Sequence, residues 1–141
     1  MIKFKKLIEM AKLPEYKSEM ASGADLYSAE NTYIDPGEVK LITTGLLVAS
    51  NPNSLEMEIR SRSSLALKGI IIANSPGTID ADYRGEIKII LMNLTKGIFY
   101  IVPGDRIAQL LIVDRLKVKF DFTEEIDKTE RGSGGFGSTG K

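Results

Sequence analysis

The sequence predicts an all-β protein of sandwich, jelly-roll or barrel architecture, and three observations carry that expectation. Apolar residues recur with period two in short runs, as in Leu55-Glu56-Met57-Glu58-Ile59, rather than at helical spacing over long ones. Turn chemistry separates the runs, at Asp35-Pro36-Gly37, Asn51-Pro52-Asn53, Ser75-Pro76-Gly77 and Val102-Pro103-Gly104-Asp105. The chain has 141 residues, 43% hydrophobic and 27% charged, which suits a single globular domain with a real core.

Taken in order, Val39 to Val48 is the first β-rich run and Leu55 to Ile59 the second. Ser63 to Lys68 is the one plausible helical turn, with Ser63 or Ser64 expected as its N-cap. Ile70 to Ile72 is a short strand, and Gly77 to Gly85, flanked by glycines, suggests a β-hairpin. Ile87 to Met92 and Ile107 to Val113 are nearly continuous in apolar residues, the pattern of strands buried on both faces. Ile98 to Val102 lies between them. Leu116 to Phe122 alternates cleanly and predicts a last strand. The expected domain is 1–130. Residues 131–141 have another character, since five of the 13 glycines fall there, with Phe136 among them. That composition builds no core, so the segment is either a tail or an arm ordered by a ligand.

Absences narrow the chemistry. With no Cys there are no disulfides, thiolate nucleophiles or zinc-thiolate sites, and with no His there is no imidazole acid-base chemistry. Proton handling falls to Asp, Glu, Lys or Tyr, and a required metal would need oxygen ligands, as Mg²⁺ or Mn²⁺ does. Lys and Arg total 19, as do Asp and Glu, a balance that argues against a nucleic-acid binder. No apolar run approaches the roughly 20 residues that cross a bilayer, and Met1 to Lys6 has no signal-peptide core. The expectation is a soluble, cytoplasmic protein with no membrane partner.

Four segments carry functional signals, each with a plainer reading beside it. In the tail, the Gly and Ser backbone amides, the hydroxyls of Ser133, Ser138 and Thr139, and Arg131 suit an anion, while Phe136 suits stacking on a base. The plainer reading is a Gly/Ser tail. Arg60-Ser61-Arg62-Ser63-Ser64 suits phosphate oxygens, through side chains and the start of the helical turn, or is simply a strand end and a cap. In Gly77-Thr78-Ile79-Asp80-Ala81-Asp82-Tyr83-Arg84-Gly85, either carboxylate suits a general base, although Asp-x-Asp is common in ordinary turns. Gln109 is the one polar side chain inside an apolar strand and is either structural or faces a site. Together they suit phosphoryl chemistry on a nucleotide with a divalent ion.

The chain resembles the homotrimeric dUTPases. The likeness rests on Ser22-Gly23-Ala24-Asp25-Leu26, Arg62-Ser63-Ser64-Leu65-Ala66, the Gly77 to Gly85 segment, Gly104-Asp105-Arg106-Ile107-Ala108-Gln109, and Arg131 through Gly140, in that order. The resemblance implies a jelly-roll-like distorted β-barrel in a three-fold homotrimer, hydrolysing dUTP to dUMP and pyrophosphate with Mg²⁺. That activity would clear dUTP from the nucleotide pool and supply dUMP for thymidylate synthesis. By similarity, Asp80 would activate the water that attacks the α-phosphorus, and Tyr83 would pack on the deoxyribose. Asn74, with Gly77, Thr78, Ile79 and Lys88, would read the edge of uracil. Arg62, Ser63, Ser64 and Gln109 would hold the phosphates, and Asp25 would meet, through water, a Mg²⁺ held mainly by them. The arm, 131–141, would come from another subunit, with Phe136 over uracil and Arg131, Ser133, Gly134, Gly137, Ser138 and Thr139 on the phosphates.

Two positions depart from the family pattern: Ser64 stands where Gly is commoner, and Thr78 where Val or Leu is. The related dCTP deaminases share the fold, but the strand position where they need a carboxylate falls here on Ile90. A third reading is a binding protein on the same fold without catalysis, which Asp80, Tyr83 and the arm argue against.

Overall fold

A computed structural model describes residues 1–50 and 52–135. Three antiparallel sheets enclose one core. The strands are β1 (Lys3–Lys6), β2 (Ala24–Tyr27), β3 (Thr32–Ile34), β4 (Val39–Ser50) and β5 (Leu55–Arg60), then β6 (Ile70–Ile72), β7 (Gly77–Ile79), β8 (Glu86–Asn93), β9 (Phe99–Ile101) and β10 (Arg106–Asp114). One short helix, α1 (Ser63–Ala66), follows β5. The sheet orders are β1-β4-β8-β6, β2-β10-β5-β7 and β3-β9, so strands distant in sequence become neighbours, as in a jelly-roll-like barrel.

The core draws on every sheet: Ile42, Ile87, Ile89 and Leu91 from the first, Leu26, Met57, Ile107 and Leu110 from the second, Ile34 and Ile101 from the third. Each fully buried aliphatic side chain contributes about 1.5–3 kcal/mol relative to exposure. Among the buried polar side chains, Thr44 and Asn93 have their hydrogen bonds made. Thr44 donates to the Ile87 carbonyl at 2.6 Å, and Asn93 donates to the carbonyls of Ile34 and Gly97. Midway along β4 the ladder is broken by a bulge between Thr43 and Leu47, where Gly45 takes a φ of 67°.

Four sequence expectations are corrected. β8 and β10 are not buried on both faces: Ile87, Ile89, Leu91 and Asn93 are buried, while Ile90 and Met92 are half-buried and Lys88 is exposed. On β10, Leu111, Ile112 and Val113 are likewise half-buried, because each sheet covers only one side of a single core. The N-cap of α1 is Arg62, not a serine, and no side chain caps the helix. Arg62 is extended at φ −84°, ψ 132°, so helical geometry begins only at Ser63. The Gly77 to Gly85 segment is not a hairpin ladder, since β7 pairs with β5 while β8 pairs with β4 and β6. It crosses between two sheets. Finally, Leu116 to Phe122 forms no strand, and its alternating Leu116, Val118, Phe120 and Phe122 are all exposed, with no strand among the described residues pairing with them.

Strands β1, β2 and β3 are not among those the sequence predicts. All are three or four residues long, too short for periodicity to register. No described helix is long and apolar enough to cross a membrane.

Candidate active site

A cavity of about 320 Å³ is lined by Thr78, Ile79, Asp80, Tyr83, Glu86 and Lys88, with Leu41 and Ile87. β7 ends at Ile79, which makes Asp80 the first residue off the strand, and a turn closed by Tyr83 N–H donating to the Asp80 carbonyl at 3.0 Å brings Tyr83 back over the opening. The Tyr83 hydroxyl donates to the Glu86 carbonyl at 2.8 Å. That placement needs Gly85, since a Cβ there would collide with the Tyr83 hydroxyl oxygen. Arg84 turns back and donates to the carbonyls of Ala81 and Tyr83, fixing the turn. Lys88 is held 3.6 Å from the Glu86 carboxylate. Asn74 packs on Gly77 at the start of the same strand, its Nδ2 3.0 Å from where a Cβ would stand. Asp80 also lines a second cavity, of about 610 Å³, with Glu56, Asp82, Arg115 and Lys117.

A second cluster forms across β2 and β10. Asp25, on β2, is buried, and its two oxygens accept from Arg62 Nε at 2.9 Å and Arg106 Nη1 at 3.0 Å. Arg62 also donates to the Arg106 carbonyl at 3.1 Å. Two guanidiniums on one carboxylate leave the cluster with a net positive charge, which favours an anion beside it. Gln109 is opposite Asp25 in the ladder and donates through Nε2 to the Ser61 carbonyl at 2.9 Å. Gly23 makes room for it, because a Cβ there would fall 2.5 Å from Gln109 Oε1. Ser63 and Ser64 are exposed on α1, next to Arg62.

The fold keeps these two clusters apart. In the sheet β2-β10-β5-β7, Asp25 is level with Gln109 and Arg60, whereas Ile79 is level with Met57. Asp80 is therefore about four residues along and three strand spacings across from Asp25, a separation on the order of 15–20 Å. Thus Thr78, Ile79, Asp80, Tyr83 and Lys88 are brought together, as are Asp25, Arg62 and Gln109, but not the two sets in one chain.

In the tail, Gly134 N–H donates to the Arg131 carbonyl at 3.0 Å, with Gly132 at φ 51° between them, so Arg131 to Gly134 forms a turn that exposes Arg131 and Ser133. The expected Phe136, Gly137, Ser138 and Thr139 lie outside the described residues. Position 90, the one that bears on deamination, is a half-buried isoleucine opposite Leu41.

Sequence reasoning missed Arg106 and Glu86 as members of these clusters. Arg106 lies inside the Gly104 to Gln109 motif and Glu86 follows Gly85, but their partners, Asp25 and Gly45, are 81 and 41 positions away. Beside the second cluster, the carboxyl of Glu15 is held below its ordinary 4.5, first by a hydrogen bond from Lys17 and then by one from Tyr27.

No group of three or more acidic, His or Cys side chains able to hold a metal occurs among the described residues. The donor set is oxygen-only, and Asp25 already carries two guanidiniums. Asp25 is therefore not placed as a direct ligand, and a hard cation such as Mg²⁺ would take its ligands mainly from water and phosphate oxygens.

Fold and clusters together define an all-β protein with a net-cationic cluster on one side and a carboxylate-bearing cavity on the other. The family model for dUTPase matches residues 9–140. The chain is 49% identical over 141 residues to the deoxyuridine 5'-triphosphate nucleotidohydrolase of Nautilia profundicola, covering 99% of each, and 51% identical over 143 residues to that of Rickettsia felis, covering 99% of this chain and 96% of the other. It superposes with a TM-score of 0.91 on the dUTPase of Staphylococcus bacteriophage 80alpha solved with dUpNHpp, at 29% identity, covering 100% of this chain and 99% of that one. A mutant dUTPase from phage phi11 of S. aureus, in which a structural Mg(II) ion is coordinated, matches with a TM-score of 0.82 at 27% identity, over 91% of this chain and 99% of the other. This chain belongs to the dUTPase family.

Proposed function

We propose that the protein hydrolyses dUTP to dUMP and pyrophosphate in the cytoplasmic nucleotide pool. The observation that carries the reading is Asp80 at the wall of the Tyr83–Lys88 cavity, a carboxylate beside a pocket sized for a nucleoside. Asp80 orients a water and takes its proton as the water oxygen bonds to the α-phosphorus. The bond from that phosphorus to the α–β bridging oxygen breaks, and pyrophosphate leaves with the electron pair. Tyr83 packs against the deoxyribose and leaves no room for a 2′-hydroxyl. Asn74 and the backbone of Gly77, Thr78 and Ile79, with Lys88, read the edge of the uracil.

The phosphates are held by Arg62, Ser63, Ser64 and Gln109, with Asp25 orienting Arg62. A Mg²⁺ held mainly by the substrate phosphates, with Asp25 meeting it through water, would supply neutralisation of the triphosphate charge. Since Asp80 and these donors are too far apart in one chain to reach the same phosphate, the site is completed by a neighbouring copy. One copy's carboxylate half meets the next copy's cationic half, a heterologous contact that closes into a ring. We assign that ring as a homotrimer. The segment 131–141 of a further copy closes the site, with Phe136 on uracil and Arg131, Ser133, Gly134, Gly137, Ser138 and Thr139 on the phosphates.

Replacing Asp80 by Asn tests the reading. The variant should bind dUTP as the native protein does and turn over about 10²- to 10⁴-fold more slowly. Near-native hydrolysis would remove Asp80 as the base.

A further inference from the structure

Glu86 lines the cavity yet has no part in the chemistry proposed above. Its carboxylate faces away from solvent, with the side chain 17% exposed, and reaches across the sheet. Oε1 accepts the N–H of Gly45 at 2.9 Å, and Oε2 is 3.6 Å from Lys88 Nζ. Gly45 is the left-handed residue of the β4 bulge, and the ladder resumes with Leu47 opposite Glu86. The bulge is anchored independently, since the Gly45 carbonyl accepts from Leu7 N–H and a Cβ on Gly45 would strike Ala11. The main-chain carbonyl of Glu86 is the acceptor of the Tyr83 hydroxyl. One residue therefore ties three things: the rigid bulge, the pocket lysine and the atom that places the Tyr83 ring.

We infer that Glu86 is a positioning residue for sugar discrimination: by stapling its own strand to the Gly45 amide, it sets the height at which Tyr83 closes over the sugar. The inference rests on the dUTP-hydrolase reading and deepens it. Without the staple, the first residue of β8 keeps only its main-chain ladder, which resumes there opposite Leu47, and its carbonyl gains room to shift. Tyr83 follows, and the space denied to a 2′-hydroxyl opens. A buried amide that loses its acceptor makes such a shift favourable.

The experiment compares kcat and KM for dUTP and UTP in the native protein, Glu86→Ala, Glu86→Gln and Glu86→Asp, each checked for fold by circular dichroism. The native dUTP-over-UTP preference tests the underlying reading by itself, and its absence would sink that reading before any variant is made. Given that preference, Glu86→Ala should lower the dUTP/UTP ratio of kcat/KM by about tenfold, chiefly through a higher KM for dUTP and a lower one for UTP. Glu86→Gln keeps an oxygen for Gly45 and should restore the ratio to within about twofold of native. If Glu86→Ala does not fold, Glu86→Asp decides, since its carboxylate is one methylene too short for Gly45 and the ratio should again fall. A folded Ala or Asp variant with the native ratio overturns the inference. So does a Gln variant that loses as much of the ratio as Ala does.

Discussion

Arg62 Nε lies 2.9 Å from Asp25 Oδ1, a pairing that joins the residue before α1 to the middle of β2 across 37 positions of sequence. Arg106 holds the other oxygen at 3.0 Å. The carboxylate therefore keeps two like charges together, and the guanidinium we propose for phosphate is held in place by the protein alone. Such preorganisation is what electrostatic stabilisation of a polyanionic leaving group requires.

Asp25→Ala leaves Arg62 and Arg106 facing each other without their counter-charge. Breaking a largely buried pair in this way costs about 3–5 kcal/mol, and half-exposed Arg106 recovers part of that through water, so the loss should be about 2–3 kcal/mol in urea unfolding. Activity should fall at least about 100-fold, with KM for dUTP rising. Unchanged stability and KM would mean that the pairing organises nothing.

Gly23→Ala places a methyl group 2.5 Å from Gln109 Oε1. The Gln109 side chain must swing away and give up its bond to the Ser61 carbonyl. The expected result is a severalfold rise in KM for dUTP with little change in thermal midpoint, because Gly23 is not in the core. A native KM would show that Gln109 is only structural.

Removal of 131–141 should leave a folded protein of native oligomeric size with little activity, since the described part of the segment, 131–135, contributes nothing to the core cluster. Full activity in the shortened chain would make the segment a tail with no part in the site.

Glu15 gives a pH dependence of definite sign. Its carboxyl is lowered from 4.5 by Lys17 and then by Tyr27, so the folded state favours the ionised form. The stabilisation is complete above the unfolded value and is lost as pH falls through the lowered folded one. The difference in thermal midpoint between the native chain and Glu15→Gln should be constant above about pH 5 and shrink below 4.5. A difference that grows on acidification would reverse the assigned sign.

Much of this was legible in the sequence. Strands such as Val39–Ser50 and Arg106–Asp114 announce themselves as long apolar or alternating runs between turns. Thr78, Ile79, Asp80, Tyr83 and Lys88 lie so close in the chain that one turn gathers them. What was not legible depends on tertiary partners. Leu116 to Phe122 alternates as a strand should, but alternation cannot supply a neighbour to pair with. The segment Gly77 to Gly85 has the glycines of a hairpin, yet its two sides are claimed by different sheets. The distance between Asp25 and Asp80 follows from strand order, which spacing along the chain does not encode. Arg106 and Glu86 are visible as residues, but their roles come only from meeting Asp25 and Gly45.

The central claim is tested most directly by pyrophosphate release from dUTP with Mg²⁺, run beside UTP, dTTP and dCTP at matched concentration. The account predicts strong preference for dUTP, abolished by EDTA. Equal release from all four nucleotides, no release, or ammonia from dCTP instead would contradict it.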